Sequence, residues 1–154
     1  MTTTSTSGPA FSRHARIRAR RSAVQALYQW EMTQSSMEDV IKEFMSERSE
    51  LKKADIEYFC ELLKGSAGKI DELNEEIIPF LDRPLKELDP VERAVLLVGS
   101  YELMFHPELP WRVVVNESVE LAKMFGAEQS YKYVNSILDR IAHKVRITEI
   151  NDAS

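Results

Sequence analysis

Five arginines fall within nine residues at the head of the chain: Arg13, Arg16, Arg18, Arg20 and Arg21, in the stretch "RHARIRARRSAVQALYQW". No acid precedes Glu31. Guanidinium forks match phosphate oxygens two at a time and stack on flat ring faces. The chemistry this cluster could perform is therefore recognition of a polyanion. Charge balance sharpens the point. The chain carries −5 overall and its first 21 residues carry +5, so the remainder must carry −10. Such a body repels phosphate at long range and draws it to one end. The plain alternative is a solvated, arginine-rich helix start.

On a helical wheel of about 100° per residue, Arg13, Arg16 and Arg20 fall within one narrow stripe, with Arg21 and Arg18 to one side. Ala23, Val24, Leu27 and Trp30 fall on the same face. Burying three unpaired guanidiniums there would be prohibitively costly. The first turns must overhang the body, pair with acids or order only when a partner arrives, as arginine-rich segments do on RNA. Tyr28, Tyr131 and Tyr133 are candidates to add base stacking.

Other chemistry is poorly served. His14, His106 and His143 lie on three separate segments, none paired in sequence with an acid or a nucleophile. No HExxH, G-x-S-x-G or glycine-rich phosphate loop occurs. Cys60 is the only cysteine, on an apolar stripe, which reads as core and as a reducing, cytoplasmic setting. Neither catalysis, a cofactor nor a metal site is expected. Apolar runs such as "AVLLVG" are too short to cross a bilayer, and no secretory signal opens the chain.

The elements that position these residues read as helices throughout. The first is expected over about Arg13–Thr33. A second fits "SMEDVIKEFMSE", with Ser36 as cap and Val40, Ile41, Phe44 and Met45 inward. "KADIEYFCELLKGSAGKIDELNEEIIPFL" reads as one long or broken helix, in which Gly65 and Gly68 mark a break or a close crossing. Its second stripe is Ile70, Leu73, Ile77 and Ile78. "LDPVERAVLLVGSYELMFH" opens with Asp89 as cap, Pro90 at the first position and Glu92 completing a capping box. Being apolar almost all round, it should be the central helix. "WRVVVNESVELAKMFG" follows, stopped by Gly126 in a C′ role. A last helix starts near Gln129 and frays after about Arg146. The expected fold is all-α, a compact bundle of six to seven helices over residues 13–148. Flexible tails are expected at 1–12 and 149–154.

Three stretches in combination resemble the NusB family: "RRSAVQALYQWEM", "LDPVERAVLLVGSYEL" and "VVVNESVELAKMFGAEQSYKYVNSILDRI". The likeness spans roughly residues 13–146. It implies a bacterial transcription antitermination factor. Such a factor pairs with the ribosomal protein NusE and binds the single-stranded boxA element of nascent RNA, within the antitermination complex of RNA polymerase on ribosomal RNA operons. The family's arginine-rich start matches Arg16, Arg18 and Arg20, extended by Arg13 and Arg21, with Ile17 interrupting the run. Tyr28 and Glu92 match positions on the partner and RNA surface, and Lys132 and Tyr133 match the family's basic–aromatic pair before V-N. Two other readings stay open here: an accessory NusB-like domain of an RNA-modifying enzyme, and a helical protein–protein module. A homodimer hiding the arginine face is left open too.

Overall fold

A computed structural model describes the backbone of residues 9–47 and 49–153, and side chains within 13–46 and 51–153. Eight α-helices occur among the described residues, with no strand. They are α1 (Pro9–Thr33), α2 (Met37–Glu47), α3 (Ile56–Gly68), α4 (Ile70–Ile77), α5 (Pro90–Phe105), α6 (Trp111–Phe125), α7 (Ser130–Val145) and α8 (Ile147–Asp152). Short 3-10 turns lie at Ser49–Lys53, Ile78–Phe80 and Leu85–Glu87. The all-α expectation holds. The count exceeds it because the chain winds again after Val145. Residues 149–152, expected as a frayed tail, belong to α8. Of the tail expected over 1–12, residues 1–8 lie outside the described residues, and 9–12 already belong to α1.

Two units divide the chain, one ending at Lys64 and one beginning at Gly65. In the first, α1 packs against α2 and the Ser49–Lys53 turn. Ser36 caps α2 by accepting the Asp39 N–H at 3.1 Å. Val40 and Phe44 are buried, and Phe44 stacks on Phe59 with centroids 6.1 Å apart. Each such side chain stabilises by about 1.5–3 kcal/mol. Met45, expected inward, is 49% exposed, because it follows Phe44 by 100° around α2. Cys60 is half-buried rather than fully packed.

In the second unit α5 is the central element, contacting α4, α6 and α7. Residues 94–103 are all buried. Gly99 permits this, since a Cβ there would approach Ser118 Oγ to 2.7 Å and Leu138 Cδ1 to 2.9 Å. Of the two α3 glycines, Gly65 makes the close crossing: a Cβ on it would collide with the Tyr101 ring. Gly68 has open space around it and ends the helix, and α4 restarts after Lys69. Ile78 was expected on the α4 core stripe but lies in the next 3-10 turn and is exposed. Gly126 is extended rather than left-handed (φ −89°, ψ 173°); it is needed for space, since a Cβ would meet Ala122 O and Ser130 Oγ at 2.8 Å. The left-handed residue of that turn is Gln129, at φ 74°.

Both ends of α5 are held by charged side chains. Asp89 Oδ2 accepts the Val91 and Glu92 N–H groups, each at 3.2 Å. At the other end Arg146 is buried and donates to the carbonyls of Leu103 (2.7 Å), His106 (2.9 Å), Glu102 (3.3 Å) and Leu109 (2.8 Å). Its guanidinium also pairs with Glu149 at 2.5 Å. Glu149 then accepts the Trp111 N–H at 3.1 Å, capping α6. Burial works against the charged form of Glu149, but the Trp111 and Arg146 hydrogen bonds outweigh it and the pKa is lowered. α8 is thus tied to the ends of two core helices by a single ion pair.

Candidate nucleic-acid interface

Alanines place the arginines of α1. Ala15, Ala19, Ala23 and Ala26 are buried along one side, with Ser22 and Leu27. On the wheel Ala15 and Ala19 stand near 200° and 240°, which rotates the buried stripe away from Arg13 at the helix start. Ala15 is small enough for the Asp55 N–H to reach its carbonyl at 3.1 Å. The expected collision of arginine and core stripes is resolved in this way for most of the cluster. Arg13 and Arg16 are exposed, and Arg18 and Arg21 are half-buried. Arg16 lies over the Tyr58 ring, 5.6 Å from its centroid, which braces the guanidinium on a flat support.

Arg20 differs. It is only 3% exposed, and it is engaged within the protein. It lies on the Val24–Leu27 face, where the wheel placed it, so it is the arginine for which the shared face means burial. That burial does not favour its expected role as an outward RNA contact. Tyr28, further along α1, is 37% exposed.

The second unit holds the remaining expected residues. Lys132 is exposed and Tyr133 half-buried, adjacent on α7. The Tyr133 hydroxyl donates to Asp82 Oδ1 at 2.8 Å and accepts the Asp82 N–H at 3.1 Å. Arg83 pairs with the same carboxylate (Nε–Oδ1 2.7 Å, Nη2–Oδ2 3.3 Å) and lies over the Tyr133 ring, 4.6 Å from its centroid. The Arg83 hydrogen bond, then that of Tyr133, holds Asp82 down at about 2. The bond to Asp82 in turn raises Arg83, with a smaller contribution from the charge of Glu92. Burial pushes the Tyr133 hydroxyl up. Glu92 is 9% exposed, in the first turn of α5, so its carboxylate offers only a small face to a partner. Tyr131 sits beneath the Lys123 ammonium at 5.0 Å.

Asp82 and Arg83 were not singled out in the sequence. The signal was "LDRPL": Pro84 restricts the backbone of Arg83, and 3-10 turns lie on both sides of this bend. Two histidines do have acid partners at close spacing: His106 Nδ1 meets Glu108 Oε2 at 2.8 Å, and His143 lies 3.6 Å from Asp139. Each pair is separate, with no nucleophile placed against it in these contacts.

What the fold and these residues define is an all-helical protein with a cationic first helix and a second basic–aromatic cluster. The NusB family matches residues 17–143. A transcription antitermination protein NusB of Nitrosococcus oceani is 48% identical over 134 residues, 87% of this chain and 89% of that protein. The solved NusB of T. maritima superposes with a TM-score of 0.73 at 34% identity, covering 83% of this chain and 91% of that one. A crystal structure of the antitermination factors NusB and NusE with double-stranded RNA contains a similar chain. It has a TM-score of 0.71 and 26% identity, covering 85% of this chain and 98% of that one. The chain belongs to the NusB family. Among the described residues, no helix is long and apolar enough to cross a membrane.

Proposed function

We propose that this chain is a transcription antitermination factor of the cytoplasm, without enzymatic activity. It binds single-stranded boxA-type RNA together with NusE and joins the RNA polymerase antitermination complex on ribosomal RNA operons. The observation that carries this reading is the display of Arg13 and Arg16 on α1, flanked by the half-buried Arg18 and Arg21, in a chain of net charge −5. Family membership supports the assignment. Curated relatives are named for transcription antitermination, and one similar chain was solved with NusE and RNA.

In this reading the RNA backbone meets Arg13, Arg16, Arg18 and Arg21, while Lys132 and Tyr133 contribute a second contact. Arg20 braces α1 from inside. Tyr28 and Glu92 serve the NusE surface, where an acidic chain suits a basic ribosomal protein. Joining two weak surfaces raises affinity without requiring either to bind tightly alone.

The test is a titration of labelled boxA RNA against the chain with and without NusE, over a series of salt concentrations. Changing Arg13, Arg16 and Arg18 together to alanine should weaken binding. It should also make the salt slope shallower by about 2, at about 0.7 per phosphate contact on a single strand. Melting should stay nearly unchanged. Undiminished RNA affinity in the triple variant would refute the arginine assignment. Glu92→Gln should impair assembly with NusE more than RNA binding by the isolated chain. Because the RNA in the solved NusB–NusE complex is double-stranded, a duplex competitor belongs in the same titration.

A further inference from the structure

Tyr133 enters the proposed contact set already engaged. Asp82 holds its hydroxyl through two hydrogen bonds, and the Arg83 guanidinium covers one ring face at 4.6 Å. Arg83 is neutralised by the same Asp82 carboxylate at 2.7 Å. An unpaired base cannot stack on that face while the guanidinium is there, and a phosphate cannot use Arg83 without displacing Asp82. Both side chains of the ion pair are well exposed, 41% for Arg83 and 65% for Asp82, so the guanidinium can swing out and the released carboxylate can be hydrated.

We propose that Asp82 is a latch on a second RNA contact, resting on the RNA-binding reading above. Arg83 moves from Asp82 to a backbone phosphate, and the adjacent base takes the uncovered face of Tyr133. The exchange conserves what each group needs. A guanidinium that leaves a carboxylate regains a two-pronged partner in phosphate. A ring that loses a cation gains a base, whose π-face stacks whatever its identity. What remains is an unpaired carboxylate beside a polyanion, which lowers affinity and makes Asp82 the residue that sets it. The loop confines the motion to the side chain. Pro84 and the flanking 3-10 turns hold the backbone, and the Asp82 N–H stays on the Tyr133 oxygen. The charge of Glu92 also acts on Arg83, but less than that of Asp82. Exposed Lys132, next in sequence to Tyr133, adds a cation to the same α7 turn.

The experiment is a cycle of Asp82→Asn, Arg83→Ala and the double variant, in the full chain with NusE, titrated with a single-stranded boxA-like RNA. Asparagine can still accept the Tyr133 hydroxyl but carries no charge. Asp82→Asn should tighten binding by about fivefold and steepen the salt slope by up to about 0.7, the equivalent of one phosphate contact. In the Arg83→Ala background the same change should gain little. An equal gain in both backgrounds would mean a general charge effect and would overturn the latch, as would no gain in either. Melting of each variant excludes misfolding as the cause. If the unaltered chain with NusE fails to bind the RNA, the RNA-binding reading falls and the latch with it. If it binds but the cycle is flat, only the latch falls.

Discussion

Helices α1 and α5 use charge in opposite ways. α5 has an acid at its N-terminus, where Asp89 accepts two N–H groups, and a guanidinium at its C-terminus, where Arg146 collects its last carbonyls. Both act with the helix dipole. α1 has no acid in its first turn and no base in its last. Its arginines gather toward the N-terminal half, where positive charge runs against the helix dipole. The α5 charges stabilise the fold. In α1 the buried Arg20 serves the fold, but the exposed Arg13 and Arg16 oppose the dipole of their own helix, and an anion would relieve them. Charge that folding does not use is the better indicator of a binding surface.

Five substitutions would break or sharpen this contrast. The largest effect belongs to Arg146→Ala, which leaves several buried carbonyls without a donor and Glu149 without its cation. A loss of about 3–5 kcal/mol is expected in chemical denaturation. Unchanged stability would dissolve the distinction between the two helices. Next is Arg20→Ala, expected to cost about 1–3 kcal/mol, as for other buried polar groups stripped of their role. Arg13→Ala and Arg16→Ala should each stay within about 0.5 kcal/mol in the same assay. A comparable loss at all three positions would mean the whole α1 cluster serves folding. Asp89→Ala should then cost about 1 kcal/mol through loss of the α5 cap.

The smallest effect is on pH. Asp82 and Glu149 both have lowered folded-state pKa values. Their contributions are complete above the unfolded carboxylate values near 4 and fade as pH falls through the folded ones, for Asp82 about 2. Carboxyl NMR titration should therefore show Asp82 ionised at pH 3, and chemical denaturation between pH 5 and 8 should show no change from either group. An Asp82 midpoint near 4 would disprove the Arg83–Tyr133 pairing in solution.

Much of the fold was readable from residue order. The α5 start followed from Asp89-Pro90, its centrality from its all-round apolar surface, and the α2 cap from Ser36. The interface was readable as a location more than as a set of contacts. The wheel aligned the arginines with Val24 and Leu27 and passed over the alanine series that turns the stripe, since alanines carry little hydrophobic weight. The tail after Arg146 was expected to fray, yet Glu149 within it pairs with Arg146 and ties α8 down.

Sequence alone determined the helical periods, the caps and the uneven placement of charge, because these depend on neighbours within a turn or two. Tertiary structure decided which arginines face outward, which one closes the end of α5, and that Asp82 reaches Tyr133 across 51 residues. Those outcomes depend on which carbonyls, carboxylates and rings are within reach of a guanidinium, and that is set by packing between distant segments.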